Sequence, residues 1–368
     1  MEKLPPGIRN KLLRKQAAKT PDSTESSGTA TPIESGTESQ SQTPKQNLSS
    51  SEIPFPQADL DECLACNEPC TAEEQAIYPS YIAKSIDREL PLAGSVKPYG
   101  RHILISTGKR DWPHTIDEEP ESVAQAIFRG LYDKKYGGRK RDNTEPRIIL
   151  SNTSFAPSRI GSGVTEVVVL PEWKLVKNIS PNTSSTFVHR IIDGAKGDLT
   201  IETLPFHSII LVCSHGKRDK RCGGTSKYLV KAFESGLRRR DLYRSFDDTR
   251  TEAQGGTKGG GTVLGCVSHV GGHKFAGNVI VYRRRTKSVE ELQTKLKALT
   301  VTDTENPEDE ELFGRNDAES DVQAEGIWLG RVEPKHVEAI ISEVILKGRV
   351  FKELYRGGLP SKYSSLQF

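Results

Sequence analysis

The chain has 368 residues, a formal net charge of +3 and 34% hydrophobic residues. This length leaves room for two ordinary domains, and the near-neutral charge does not predict nucleic-acid binding. No apolar run approaches the length of a membrane span, so the sequence predicts a soluble protein. Six cysteines are too few for a disulfide scaffold in a chain this long, and they indicate metal binding or thiol chemistry in a reducing compartment.

The first 58 residues predict a disordered arm. Residues 1–19 are basic and weakly amphipathic through Ile8, Leu12 and Leu13, which fits either a mitochondrial targeting peptide or a basic tail. Residues 20–58 are rich in Ser, Thr, Pro, Gly and Gln, and such a segment buries too little apolar surface to offset its ordering entropy. The mitochondrion and the cytoplasm therefore both remain as compartments.

The next part of the chain, residues 59–195, predicts an N-terminal α/β domain with a cysteine-rich start. The segments "RHILIST", "EPRIILSNTS" and "VTEVVVLPEW" are typical of strands. Between the first two, "PESVAQAIFRGLYDKKYG" has apolar residues at helical spacing and stops at Gly137 and Gly138. Strands that alternate with a helix indicate an α/β layer.

Residues 196–360 predict a second α/β domain. "FHSIILVCSHG", "GTVLGCVSH", "GNVIVYRRR" and "GIWLGRVEP" are strand candidates, while "TSKYLVKAFESGLRRRDL" and "KHVEAIISEVILKG" are helix candidates. A flexible glycine loop, "TEAQGGTKGGG", and an acidic insertion at 301–324 interrupt them. Residues 361–368 form a C-terminal tail.

Four residues of the second domain have the chemistry of metal ligands. Cys213 and Cys222 are predicted at the two ends of one loop, and His269 and His273 lie in a second, glycine-containing loop. The glycines in "HVGGH" indicate a turn and let the backbone pass close to an inorganic centre. Two thiolates and two imidazoles suit either a tetrahedral zinc ion or an iron–sulfur cluster.

Several neighbours of these residues have competing explanations. His215 is an alternative ligand because it lies two residues after Cys213, and Cys266 is expected to be buried by packing. A basic group between the two cysteines either steers an acidic redox partner or forms a solvated face. It consists of Lys217, Arg218, Lys220 and Arg221.

The segments "CSHGKRDKRCG", "SHVGGHKFAGNVIVY" and "WLGRVEPKHV" resemble the sucrase/ferredoxin-like family of thioredoxin-like ferredoxins, which has fungal members. The resemblance implies a C-terminal thioredoxin-like domain that binds a [2Fe–2S] cluster for electron transfer. By position it implies Cys213, Cys222, His269 and His273 as the ligands. It slightly favours the mitochondrion, and it leaves the glycine run 255–261 and the acidic insertion without a role.

This ligand set has a physical consequence. The formal charges of two ferric ions, two sulfides and two thiolates cancel, whereas four thiolates leave a net negative charge. A neutral centre accepts an electron more readily, as in Rieske centres. Because the added electron raises the proton affinity of nearby imidazoles, the resemblance implies proton-coupled electron transfer.

The group Cys63, Cys66 and Cys70 stands apart from these four residues. Its spacing allows thiol redox chemistry, with a role in thiol redox homeostasis, or structural thiols, and metal binding is a third alternative.

The chain ends in Leu366, Gln367 and Phe368, which resemble the tail by which some iron–sulfur proteins dock to the cytosolic assembly machinery. A frayed polar end is the alternative explanation.

The sequence thus predicts a redox carrier and no catalytic residue of its own. A structural zinc-binding interaction module is one alternative. A thiol oxidoreductase that works through Cys63, Cys66 and Cys70 is the other.

Overall fold

The computed structural model describes residues 53–65, 71–133, 146–159, 161–195, 197–248, 250–285 and 323–360. Predictions for residues 1–52, Cys66, Cys70 and the C-terminal tail lie outside the described residues, as does the acidic insertion up to residue 322. The described residues form a mixed α/β fold, as the sequence predicts.

Thirteen strands are present in the described part of the chain. They are β1 (Gln57–Ala58), β2 (Arg101–Ser106), β3 (Ile148–Thr153), β4 (Thr165–Leu170), β5 (Lys174–Ile179), β6 (Ile201–Thr203), β7 (Ser208–Cys213), β8 (Tyr243–Arg244), β9 (Thr262–Val267), β10 (Val279–Arg285), β11 (Gln323–Leu329), β12 (Val350–Phe351) and β13 (Tyr355–Leu359).

The helices are mostly short. They are α1 (Leu60–Leu64), α2 (Ser80–Ala83), α3 (Val123–Tyr132), α4 (Ser184–Asp193) and α5 (Lys220–Arg239). A closing helix, α6, begins with a 3-10 turn at Pro334–His336, passes through Val337–Ala339 and continues as a π-helix over Ile340–Leu346.

Eleven of the described strands form one sheet, in the order β13-β11-β10-β7-β9-β3-β2-β4-β5-β6, with β8 paired to β9. Within it, β2 and β3 are parallel, and so are β7 and β9. Strands β2 to β6 form one half of this sheet, and β7 to β11 with β13 form the other. The two halves meet where Thr153 of β3 pairs with Val267 of β9. The division into two domains stays a prediction.

Helices α3 and α5 pack on the sheet through their apolar faces. Helix α3 begins after Ser122, whose side chain accepts a hydrogen bond from the Gln125 N–H, and it buries Ile127 and Leu131. These side chains join a core with residues of β2, β4 and α4. On α5, Leu229 and Phe233 are fully buried, and each such side chain stabilises the fold by about 2 kcal/mol.

The predicted strands in "RHILIST", "EPRIILSNTS", "FHSIILVCSHG" and "GTVLGCVSH" are all present. Three details differ from the predictions. Helix α5 begins at Lys220 and so includes Cys222, the glycine loop contains short 3-10 turns at Glu252–Gln254 and Lys258–Gly260, and β11 starts inside the predicted acidic insertion.

The packed part of the chain begins earlier than predicted. Ile53 and Phe55, assigned to the arm, are buried, and β1 pairs with β12. Their apolar side chains supply the burial that the rest of the arm sequence lacks.

Among the described residues, no helix combines the length and the apolar character needed to cross a bilayer.

Candidate functional site

The site is built at the ends of two parallel strands. Cys213 is the last residue of β7 and pairs in register with Val267, the last residue of β9. Because parallel strands end at the same edge of a sheet, Cys213 and the segment after Val267 lie side by side. The Ser214 N–H donates a hydrogen bond to the Val267 carbonyl, 3.1 Å away. His269 follows two residues later, so the topology brings it to Cys213.

Cys222 lies in the first turn of α5, which corrects the prediction that places it in a loop. The helix starts early because the Asp219 side chain caps it by accepting a hydrogen bond from the Arg221 N–H at 2.9 Å. Gly223 belongs to the same turn, and a Cβ there would stand 2.7 Å from the Cα of Gly216. The glycines after Cys222 therefore allow close packing of the loop on the helix.

The thiols of Cys213 and Cys222 face each other in a fully buried environment. A hydrogen bond from Cys222 holds the pKa of Cys213 well below its ordinary value, and His269 lowers it further. The same contact, together with burial, raises the pKa of Cys222. Of the two, Cys213 is therefore the one that more readily forms a thiolate, which is the form of cysteine that binds metal.

The two histidines are brought together by the turn between them. Gly271 and Gly272 both have positive φ angles, and His273 then begins a 3-10 helix, so the predicted turn is present. The centroids of the two imidazole rings are 5.3 Å apart. The Nδ1 atom of His269 is buried and has no hydrogen-bond partner among the described residues, whereas the His273 side chain is 46% exposed.

The structure thus connects all four predicted residues through contacts between Cys213 and Cys222, Cys213 and His269, and His269 and His273. In the described ranges, no three or more His, Cys, Asp or Glu side chains are grouped as a metal site. The donor set nevertheless fits a [2Fe–2S] cluster, which takes two protein ligands at each iron. Coordination would also satisfy the buried Nδ1 of His269.

His215, the alternative ligand, has another role. Its Nε2–H donates to the carbonyls of Trp112 and Pro113, at 3.0 and 2.8 Å. Its Nδ1 accepts a hydrogen bond from the His269 N–H at 3.0 Å. Because both ring nitrogens are occupied, His215 positions the backbone of His269. Cys266 is 4% exposed and packs as predicted.

The loop after Cys213 is braced by a segment far away in the sequence. The Ser214 hydroxyl donates to the Arg110 carbonyl at 2.6 Å, and Asp111 accepts from the Lys217 N–H at 3.2 Å. With the bonds of His215, these contacts fix the loop before any ligand binds. In the sequence, the only sign that His215 belongs to the site is its position two residues after Cys213.

Arg356 on β13 is a component of the site that sequence reasoning missed. Its side chain is 1% exposed, and its Nη1 donates to Asn278 Oδ1 at 2.8 Å and to the Gly271 carbonyl at 3.3 Å. Burial lowers the pKa of Arg356 to about 10, while negative charge on the sulfur atoms of Cys213 and Cys222 acts to raise it. The site therefore contains a buried positive charge close to its sulfur atoms.

Arg356 also explains one of the loop glycines. Gly272 has a φ of +70°, and a Cβ there would stand 2.0 Å from the Arg356 Nη2. The Asn278 side chain donates to the Gly272 carbonyl at 3.0 Å and contacts Cys222, whose pKa it lowers. Arg356 and Asn278 thus tie the histidine loop to the cysteine pair.

The basic group in the loop divides into two kinds of side chain. Arg221 is paired with Asp219 at 2.9 Å, so its charge is compensated. Lys217, Arg218 and Lys220 are exposed, and Arg218 donates to the His114 carbonyl at 2.9 Å. These three lie on the solvent side of the site.

The N-terminal cysteine group is only partly visible, because Cys66 and Cys70 lie outside the described residues. Cys63 is a free, half-buried thiol in α1. Burial raises its pKa, as do the carboxylates of Glu343 and Glu62. Cys63 itself is therefore held as the less reactive thiol form.

Comparison with known proteins decides the family of this chain. The model of the sucrase/ferredoxin-like family matches residues 92–357, which include all four site residues and Arg356. The chain belongs to the sucrase/ferredoxin-like family. No solved structure matches it.

Three curated proteins show the range of similarity. Actin patches distal protein 1 of Saccharomyces cerevisiae is 27% identical over 303 residues, which cover 77% of this chain and 80% of that protein. Altered inheritance of mitochondria protein 32 of Debaryomyces hansenii is 31% identical over 304 residues, 74% of this chain and 88% of its own. The protein of that name from Clavispora lusitaniae is 29% identical over 154 residues, 42% and 36% of the two chains.

Proposed function

We propose that this sucrase/ferredoxin-like protein transfers electrons through a [2Fe–2S] cluster held by Cys213, Cys222, His269 and His273. The observation that carries the proposal is the convergence of two thiols and two imidazoles at one edge of the sheet, with the buried Nδ1 of His269 lacking a partner. We further propose that residues 196–360 form the thioredoxin-like ferredoxin domain that the resemblance implies.

The cysteine pair and the histidine pair differ in exposure, and this difference indicates the side from which a partner protein approaches the site. The cysteine pair is sealed in the core, whereas the His273 side chain is 46% exposed. A bound cluster would accept and release one electron at a time. His273 is then the ligand through which a partner protein approaches, and the exposed Lys217, Arg218 and Lys220 attract an acidic partner surface.

The histidines would also couple electron transfer to protons. An imidazole that binds a metal through one ring nitrogen keeps a second nitrogen that takes up or releases a proton. Extra negative charge nearby favours the protonated ring. The carboxylate of Asp219, 3.9 Å from His273 Nε2, acts in the same direction.

The midpoint potential is therefore expected to fall as pH rises. Reduction draws a proton onto an imidazole, and raising the pH makes that proton harder to obtain. The slope approaches about 59 mV per pH unit between the imidazole pKa values of the oxidised and reduced protein. Redox titration over roughly pH 6 to 9 measures it, and a flat potential across that range would contradict histidine ligation.

Replacing Arg356 by glutamine is expected to lower the midpoint potential by on the order of 100 mV. Removal of one buried unit charge near the sulfur atoms costs the reduced state about 2 kcal/mol at an effective dielectric constant near 20. Arg356→Lys is the matched control, because it keeps the charge while losing the fork of hydrogen bonds. An Arg356→Gln variant with the parental midpoint potential would contradict the proposed electrostatic role of Arg356.

We propose the mitochondrion or the cytoplasm as the compartment of this protein. The name of the relative from Debaryomyces hansenii refers to mitochondria, which supports the first compartment. Docking to the iron–sulfur assembly machinery through residues 366–368 remains a prediction, because these residues lie outside the described part of the chain.

The proposal is tested on protein purified without oxygen. We expect a red-brown solution with equal iron and acid-labile sulfide, about two of each per chain, and no stoichiometric zinc. A colourless protein with one bound zinc would instead establish the structural zinc alternative.

A further inference from the structure

A cavity of about 440 Å³ lies beside the histidine loop, between this loop, the start of β3 and helix α3. Its wall includes His269, Gly271 and Gly272 on one side and Phe128 and Arg147 among its other residues, while Cys213 and Cys222 are not among the described lining residues. Sites for small molecules typically enclose roughly 300–1,000 Å³. The cavity therefore has the size of a ligand site, and of the four proposed cluster ligands its described lining includes only His269.

Three positive charges line this cavity. Arg356 is buried, Arg147 is half-buried and Lys97 is exposed. None of the three has a carboxylate partner in the described part of the chain, and the hydrogen bonds of Arg356 go to Ser95 Oγ, the Gly271 carbonyl and Asn278 Oδ1. Arg147 and Lys97, with no carboxylate partner among the described residues, are available to bind an anion.

The charge of the lining suggests how much negative charge the occupant carries. Asp117 is the acidic side chain among the described lining residues, so three cations and one carboxylate leave two positive charges, one of which, on Arg356, also faces the sulfur atoms of Cys213 and Cys222. A phosphate monoester carries about −1.5 to −2 charges at neutral pH, which matches this excess. A single carboxylate would compensate only half of it.

The remaining wall is aromatic and apolar. Phe128, Tyr132 and Trp328 line the cavity, and the rings of Phe128 and Tyr132 are 5.1 Å apart. Phe128 is 37% exposed, so part of its ring is open to a partner. Such a wall offers stacking to a planar ring.

We propose that this cavity binds an aromatic mononucleotide, with its phosphate on Arg147, Lys97 and Arg356 and its base or ring against Phe128, Tyr132 and Trp328. The occupant would contact the loop that holds His269. A redox-active nucleotide such as flavin mononucleotide would thus lie next to the proposed electron carrier. The binding itself does not depend on iron in the protein.

Equilibrium dialysis of the full chain against flavin mononucleotide tests the proposal. We expect saturable binding of one ligand per chain, competition by adenosine monophosphate, and at least a tenfold weaker affinity for riboflavin, which lacks the phosphate. Arg147→Glu and Lys97→Glu should each weaken flavin mononucleotide binding about tenfold or more, because each reverses a charge at the phosphate. Lys231→Glu, an exposed lysine of α5 outside the cavity, is the matched control and should bind like the parent.

Two results would overturn the proposal. One is the absence of saturable binding up to about 1 mM ligand. The other is binding that survives both charge reversals, or that is equal for riboflavin. Because bound ligand is counted directly, neither result depends on whether the protein carries a cluster.

Discussion

Replacing Cys213 or Cys222 by alanine is expected to reduce bound iron and sulfide to roughly a tenth of the parental amount or less. Each thiol is buried, and no other cysteine of the described residues makes the sulfur contact that joins these two. A serine or water in that position would be a poorer ligand for iron than a thiolate. The measurement is iron and sulfide per chain after purification without oxygen.

Cys266→Ala is the matched control for this experiment. Cys266 is also a buried free thiol, and it lies on β9, one residue before the register partner of Cys213. The substitution removes a similar volume from the same region of the core, so it reports the cost of lost packing alone. If the control lost as much iron as the two ligand variants, general destabilisation would explain the result and the cysteine assignment would fail.

Converting both His269 and His273 to cysteine is expected to lower the midpoint potential by hundreds of millivolts. Two further thiolates add negative charge to the centre, and the expected fall follows the difference between Rieske centres, at about −150 to +300 mV, and plant-type centres near −400 mV. The pH dependence should disappear as well, because no ligand imidazole remains to take up a proton. Redox titration at several pH values measures both effects.

His189→Cys controls for the addition of a thiol. His189 is exposed on α4, so the change leaves the site intact and should leave the potential unchanged. Single His269→Cys and His273→Cys variants should fall between the parent and the double variant. A double variant that kept the parental potential and slope would show that these histidines do not bind the cluster.

Much of the fold follows from local sequence pattern. Strands β2, β7 and β9 are apolar runs bounded by turn residues, and such runs are recognisable without any neighbour. Helix α4 carries a comparable signal through Phe187, Val188 and Ile191, although it is not among the predicted helices. Element boundaries were less predictable, since Asp219 caps α5 and draws Cys222 into the helix.

The contacts between segments that are distant in the chain could not be predicted from the sequence. Arg356 reaches Asn278 and Gly271 only because β13, β11, β10 and β7 are neighbours in the sheet, and no local pattern fixes that order. The double hydrogen bonding of His215 depends in the same way on residues 112 and 113. Sequence spacing identified the donor atoms, whereas the charge and support around them required the fold.

Pulsed electron paramagnetic resonance of the chemically reduced protein tests the shared coordination sphere most directly. We expect hyperfine couplings from two inequivalent nitrogen nuclei at a single two-iron centre. One coupling should vanish in His269→Cys and the other in His273→Cys. A reduced centre without strongly coupled nitrogen, or couplings that persist in both single variants, would contradict ligation by two cysteines and two histidines.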